Sequence, residues 1–96
     1  MRTIALDWET FYDKVCSVKT LGNWAYTHHP DFQAYMVSVY DGNESWAGHP
    51  RELNWDALDG ARLLSHNAAF DANVYIAEAE RGNVPWINIP EWHCTA

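Results

Sequence analysis

Three carboxylates, Asp7, Glu9 and Asp71, have the spacing that points to chemistry in this chain of 96 residues. Asp7 and Glu9 follow the apolar run Ile4-Ala5-Leu6 and alternate with Trp8, so in a strand both project from one face. Side-by-side carboxylates repel, and at least one pKa rises unless a cation lies between them. A hard divalent ion such as Mg²⁺ meets that need, because it takes oxygen ligands and only one or two carboxylates from any one place. Asp71 closes a second stretch, Ser65-His66-Asn67-Ala68-Ala69-Phe70-Asp71. Asn67 stands where a helix N-cap is expected, which puts Asp71 about one turn inside the helix, where the macrodipole favours an ionised acid. Asn67 and Asp71, four apart, share a helix face. A strand ending in Asp-x-Glu and a later strand running into Asn-x-x-x-Asp can bring three carboxylates to one end of a sheet, as two-metal phosphoryl transfer requires. Read separately, each stretch also has a plainer meaning: a strand end entering a polar turn, and a cap followed by a first-turn acid.

The elements that must position these groups follow from periodicity and turn signals. Thr3 to Leu6 is β-prone, and Phe11 to Thr20 is polar and mixed, a loop or short helix. Gly22-Asn23 and His28-His29-Pro30-Asp31 are turn signals, with Trp24-Ala25-Tyr26 a short extended piece between them. Phe32 to Tyr40 alternates as a strand, with Ala34, Met36 and Ser38 on one face and Tyr35, Val37 and Val39 on the other. Asp41-Gly42 then predicts a hairpin to Glu44-Ser45-Trp46-Ala47. Leu53 to Leu58 suits one or two helical turns, and Arg62 to His66 a short buried strand. From Ala68 to Arg81 the spacing predicts a helix, with Phe70, Val74 and Ala77 as its apolar stripe and Arg81-Gly82 as its end. Val84-Pro85-Trp86 reads as a loop and Ile87 to Ile89 as the start of another extended segment. Strand, strand, strand, helix, strand, helix is a mixed α/β order.

Composition bounds the function. The length fits one small domain with a modest core. Thirteen acidic against six basic residues give a net charge of -7, so the basic stripe of a generic nucleic-acid binder is missing. Any nucleic-acid role must work through bound metal and local contacts. Cys16 and Cys94 form no C-x-x-C unit and read as reduced thiols. No apolar run has the length of a signal peptide or membrane span, which predicts a soluble, cytoplasmic protein without a membrane partner. Among His28, His29, His49, His66 and His93 no pair has the spacing of a helix-borne zinc motif, which leaves a histidine-based metal or hydrolase site as the weaker alternative.

Asp7-Trp8-Glu9-Thr10 followed by His66-Asn67-Ala68-Ala69-Phe70-Asp71 resembles the first and second motifs of the DEDD 3′–5′ exonucleases, which have an RNase H-like fold. It is most similar to the proofreading exonuclease domain of phage family A DNA polymerases, which also tend to carry a glycine-to-Ala-Tyr run like Gly22 to Tyr26 and a His-Pro-Asp-Phe-like step. The resemblance spans Thr3 to about Ile89. It implies a single partial exonuclease domain over 1–96, an RNase H-like mixed sheet truncated before the final strand and helices. It also implies two Mg²⁺ or Mn²⁺ ions, with Asp7 bridging both, Glu9 on the nucleophile-side ion and Asp71 on the second. Thr10 would lie beside the 3′-terminal nucleotide of single-stranded DNA, RNA being an alternative, while Asn67 and Phe70 contact the strand end and Trp8 is either a base-stacking platform or core. The family's third motif, Tyr-x-x-x-Asp or His-x-x-x-Asp, has no counterpart after Asp71, and Glu91 to Ala96 is similar to the segment that leads into the remaining elements. The chain thus resembles the amino-terminal half of such a domain, with three of its four carboxylates. A non-catalytic module that pairs with a separately encoded polymerase segment is the alternative.

Overall fold

The computed structural model describes residues 2–11 and 17–95. Its centre is β1 (Thr3–Thr10), in which Ile4, Leu6 and Trp8 are buried while Asp7 and Glu9 are exposed, as strict alternation requires. β2 (Ala34–Tyr40) pairs antiparallel with β1, and β3 (Ser45–Gly48) antiparallel with β2. Their connection is set by Asp41, whose carboxylate accepts from the N–H groups of Asn43 and Glu44 (both 2.8 Å), with Gly42 at a positive φ of 103°. Those two donors hold the Asp41 carboxyl below its ordinary pKa. β4 (Arg62–Ser65) runs parallel to β1 on its other side, and β5 (Glu91–Cys94) parallel to β4, giving the mixed order β3-β2-β1-β4-β5.

Helix α3 (Ala68–Glu80) links β4 to β5 and buries Val74, Tyr75, Ala77 and Ala79. The Asn67 side chain caps it by accepting from Phe70 N–H at 3.3 Å. At its other end Gly82 (φ 77°) lets Asn83 N–H reach the Glu78 carbonyl (2.9 Å) and Gly82 N–H the Ala79 carbonyl (3.1 Å), a Schellman arrangement. The core joins one face of the sheet (Ile4, Leu6, Trp8, Val37, Leu63) to Val74 and Tyr75 of α3.

Several expectations are corrected. Trp24-Ala25-Tyr26 is not extended but lies in α2 (Asn23–Thr27), where the Thr27 hydroxyl donates back to the Asn23 and Trp24 carbonyls and the buried Tyr26 ring anchors the helix. Of the Phe11-to-Thr20 stretch, Tyr12 to Cys16 falls outside the described residues, and α1 (Val18–Leu21) is a single turn. In Leu53 to Leu58 only Trp55–Leu58 is helical, as a 3₁₀ turn, and a separate 3₁₀ turn precedes it at Pro50–Glu52. Ile87 to Ile89 is not a strand; Glu91–Cys94 adds a fifth strand where the sheet was expected to stop. A bulge opposite Glu9 and Thr10 leaves Tyr35 unpaired, so Ala34 shares the buried face with Val37 instead of following Met36. Cys94 is a free, exposed thiol, and Cys16 lies outside the described residues. Among the described residues no helix is long and apolar enough to cross a membrane.

Trp8 is core and not a surface platform: its ring stacks on Trp55 with centroids 5.7 Å apart. The two indoles differ in one respect. Trp55 Nε1 donates to the Pro50 carbonyl at 2.8 Å, whereas Trp8 Nε1 is buried without a partner among the described residues. Trp→Phe at either site opens a similar void, but only Trp55→Phe breaks a hydrogen bond and strands a carbonyl. Trp55→Phe is therefore expected to cost about 1 kcal/mol more than Trp8→Phe in urea unfolding, and equal losses would refute this account.

Candidate active site

The candidate site forms where β4 leaves β1. Pairing between them ends at Ala5 and Leu64, so the next backbone groups on that edge of β1 need other partners. The Ser65 hydroxyl takes one, donating to the Leu6 carbonyl at 2.9 Å. Asp71, one turn into α3, takes another: its Oδ1 accepts from Trp8 N–H at 3.4 Å. The Asn67 cap fixes where α3 begins and thereby carries the Asp71 carboxylate to the central strand.

Asp71 is 3% exposed, an unusual place for an acid that pairs with no cation among the described residues. Burial is the main cause of its pKa rising from 3.8 to about 6, the negative charge of Asp7 adds to the rise, and the Trp8 N–H opposes it. Asp7 and Asp71 therefore share one electrostatic environment. Glu9 lies two residues further along the face that carries Asp7, opposite Met36. Asp7 is near enough for its charge to act on Asp71, but among the described residues no three His, Cys, Asp or Glu side chains converge closely enough to hold an ion.

The remaining expected site residues are tied into the frame. The Tyr26 hydroxyl of α2 hydrogen-bonds the Thr10 hydroxyl (2.7 Å) and the Phe11 carbonyl, clamping the end of β1. The Tyr26 ring also stacks on Phe70 (centroids 6.1 Å apart, planes 23° from parallel) and meets Phe32 edge-on (5.0 Å). Phe70 is thus half-buried packing between α3 and α2. Asn67 is exposed, its oxygen committed to the cap and its amide nitrogen left outward of that bond.

Beside Asp7 on the uncovered face of the sheet lies a cavity of about 470 Å³, with Ala5, Ser38 and Ala47 in its lining and His66, Tyr40 and Leu64 around them. That volume is in the range of small-molecule sites. Sequence reasoning did not single out Tyr26, Ser65 or His66 for roles here. Two of them stood inside the quoted motif, and the third at the end of the Gly22-to-Tyr26 run.

Fold and site together define an α/β protein in which a buried acid carried by a helix bonds to the backbone of the central strand one residue from an exposed acid. No family model, characterised protein or solved structure matches the chain.

Proposed function

We propose that this chain is a 3′–5′ exonuclease-like domain with an RNase H-like fold, acting on the 3′-terminal phosphodiester of single-stranded DNA. The observation that carries this reading is the Asp71 carboxylate, buried without a cation, raised to about 6 and held against β1 beside Asp7. Such an acid destabilises the fold, which is the signature of a group kept for its chemistry. The mixed sheet, with β2 as the antiparallel strand beside β1 and α3 following β4, supports the fold assignment.

The donor set fits a hard divalent cation: oxygen only, with one carboxylate exposed and the other desolvated and destabilised by the charge of the first. Asp7 and Asp71 would hold Mg²⁺ or Mn²⁺; Glu9, two residues further along the same face of β1, is not gathered with them into a three-ligand set. When bound, the two ions supply charge neutralisation at the phosphate and at the attacking and leaving oxygens. The chain's own residues do the positioning. Tyr26 fixes Thr10 at the strand end, Trp8 N–H orients Asp71, and the cavity beside Asp7 offers room for the terminal nucleoside. In the hydrolysis, water oxygen bonds to phosphorus, the bond from phosphorus to the 3′ oxygen breaks, and that oxygen gains a proton as a nucleoside 5′-monophosphate leaves.

A Mn²⁺ titration followed by paramagnetic broadening of amide signals tests the reading. Broadening centred on Asp7, Trp8 and Asp71 is expected in the wild type, weakened at least tenfold in Asp7→Ala. Equal, negligible binding in both proteins would sink it. The second reading, a non-catalytic module that pairs with the remainder of a polymerase, draws on the uncovered sheet face, where Tyr40 is exposed and Ala5 and Leu64 are half-buried.

A further inference from the structure

A second cavity, about 330 Å³, opens between the start of β2, the Pro50–Glu52 turn and the end of α3. None of its polar lining residues, Gln33, His49, Arg51, Glu78, Arg81 and Asn83, lines the cavity beside Asp7. Two of the chain's six basic residues meet here, in a protein of net charge -7.

The wall is built as a relay. Glu78, 5% exposed, accepts from Arg81 Nη1 (3.5 Å) on one oxygen and from Asn83 Nδ2 (2.7 Å) on the other. Arg81 is further pinned by a bond to the Thr27 carbonyl and by its place 5.3 Å above the Phe32 ring. With its amide nitrogen committed to Glu78, Asn83 turns its oxygen to Arg51 Nη2 at 2.7 Å. Arg51 is exposed and pairs with no carboxylate among the described residues, so its charge is oriented but not neutralised. His49 Nδ1 accepts from Arg51 N–H at 3.2 Å, which leaves Nε2 as the donor of the ring. The terminal carbonyls of α3 facing this end are already satisfied by Arg81, Gly82 and Asn83 N–H groups, which reduces their repulsion toward an anion. What remains for a ligand is a set of donors on two segments: the Gln33 amide just before β2, and His49 Nε2 with the unused guanidinium N–H groups of Arg51 at the Pro50–Glu52 turn.

We propose that this cavity binds a phosphoryl anion, with Arg51 as its principal charge and Gln33 and His49 as flanking donors. Guanidinium groups suit such a ligand because their fork of donors matches two oxygens at once. The full chain, labelled with ¹⁵N, is titrated with inorganic phosphate at constant ionic strength. The expected result is saturable shifts at the side-chain amides of Gln33 and Asn83 and at Arg51 Nε–H, at least tenfold weaker in Arg51→Gln. Gln33→Glu, which breaks no hydrogen bond of the fold, is expected to abolish binding, and it keeps the test decisive if Arg51→Gln folds poorly. Asp7→Ala is expected to leave the phosphate shifts unchanged, which separates this site from the proposed exonuclease site. Competition by a single-stranded oligonucleotide without terminal phosphates would identify a backbone diester as the source; competition only by a 5′-phosphorylated one would identify a phosphate monoester. Shifts that chloride reproduces, that scatter over the surface, or that persist in both variants would overturn the proposal.

Discussion

Asp71→Asn is expected to make the protein more stable at pH 7, by about 2 kcal/mol, while removing its affinity for divalent cations. The carboxyl titrates near 3.8 when unfolded and at about 6 in the fold. At roughly 1.4 kcal/mol per tenfold change in acidity, the ceiling is about 3 kcal/mol, and the cost of burying the amide that replaces the carboxyl lowers it to about 2. The sign follows from proton counting. Between about pH 4 and pH 6 the folded state binds more protons than the unfolded state, so this group's contribution falls as pH rises through that window and stays unfavourable above it. Asparagine keeps an oxygen for Trp8 N–H and carries no charge, so the difference between variant and wild type should grow from near zero at pH 4 to its full value by pH 7. Urea unfolding at several pH values measures it. Mg²⁺ should stabilise the wild type and leave Asp71→Asn unmoved, because only a ligand that prefers the folded state shifts the equilibrium. A variant equally destabilised at every pH would mean that the carboxylate is structural.

Tyr26→Phe is expected to cost about 2 kcal/mol and to loosen the end of β1. The hydroxyl is the link from α2 to both the Thr10 side chain and the Phe11 carbonyl, while the ring contacts with Phe32 and Phe70 survive the change. Two hydrogen bonds at about 1 kcal/mol each give the magnitude. Faster amide exchange confined to Thr10 and Phe11 would accompany it, since α3 and the β2–β3 hairpin do not depend on the hydroxyl. A loss spread evenly over the sheet would contradict the clamp.

Much of this arrangement is legible in the sequence where the determinants are local. Asp41-Gly42 specifies the hairpin because both chelating N–H groups lie within three residues of Asp41. Asn67 and Gly82 mark α3 because caps act over a single turn. The shared face of Asp7 and Glu9 follows from strand parity alone. What sequence reading misses depends on distant partners. Trp24-Ala25-Tyr26 is too short to declare a helix, and its geometry is secured by a tyrosine seated under β1. The Tyr35 bulge defeats a parity argument, since an extra residue reverses the faces upstream of it. β5 has little β propensity in Glu91-Trp92-His93-Cys94 and exists by pairing with β4. The charge relay joining Glu78, Arg81 and Asn83 to Arg51 requires the helix end to meet the Pro50–Glu52 turn, which no motif announces.

The bond from Trp8 N–H to Asp71 spans 63 residues, and that from the Ser65 hydroxyl to the Leu6 carbonyl spans 59. Contacts so far apart along the chain close late, after local hairpins and helices have formed, because the loop entropy must be overcome before they contribute. The β2–β3 hairpin and α3 can form early, in microseconds or less. Joining Asp71 to the central strand belongs to the final, slower condensation. A nascent or partly unfolded chain therefore has Asp7 and Asp71 scattered, and the two come together only as the last long-range strand pair zips shut.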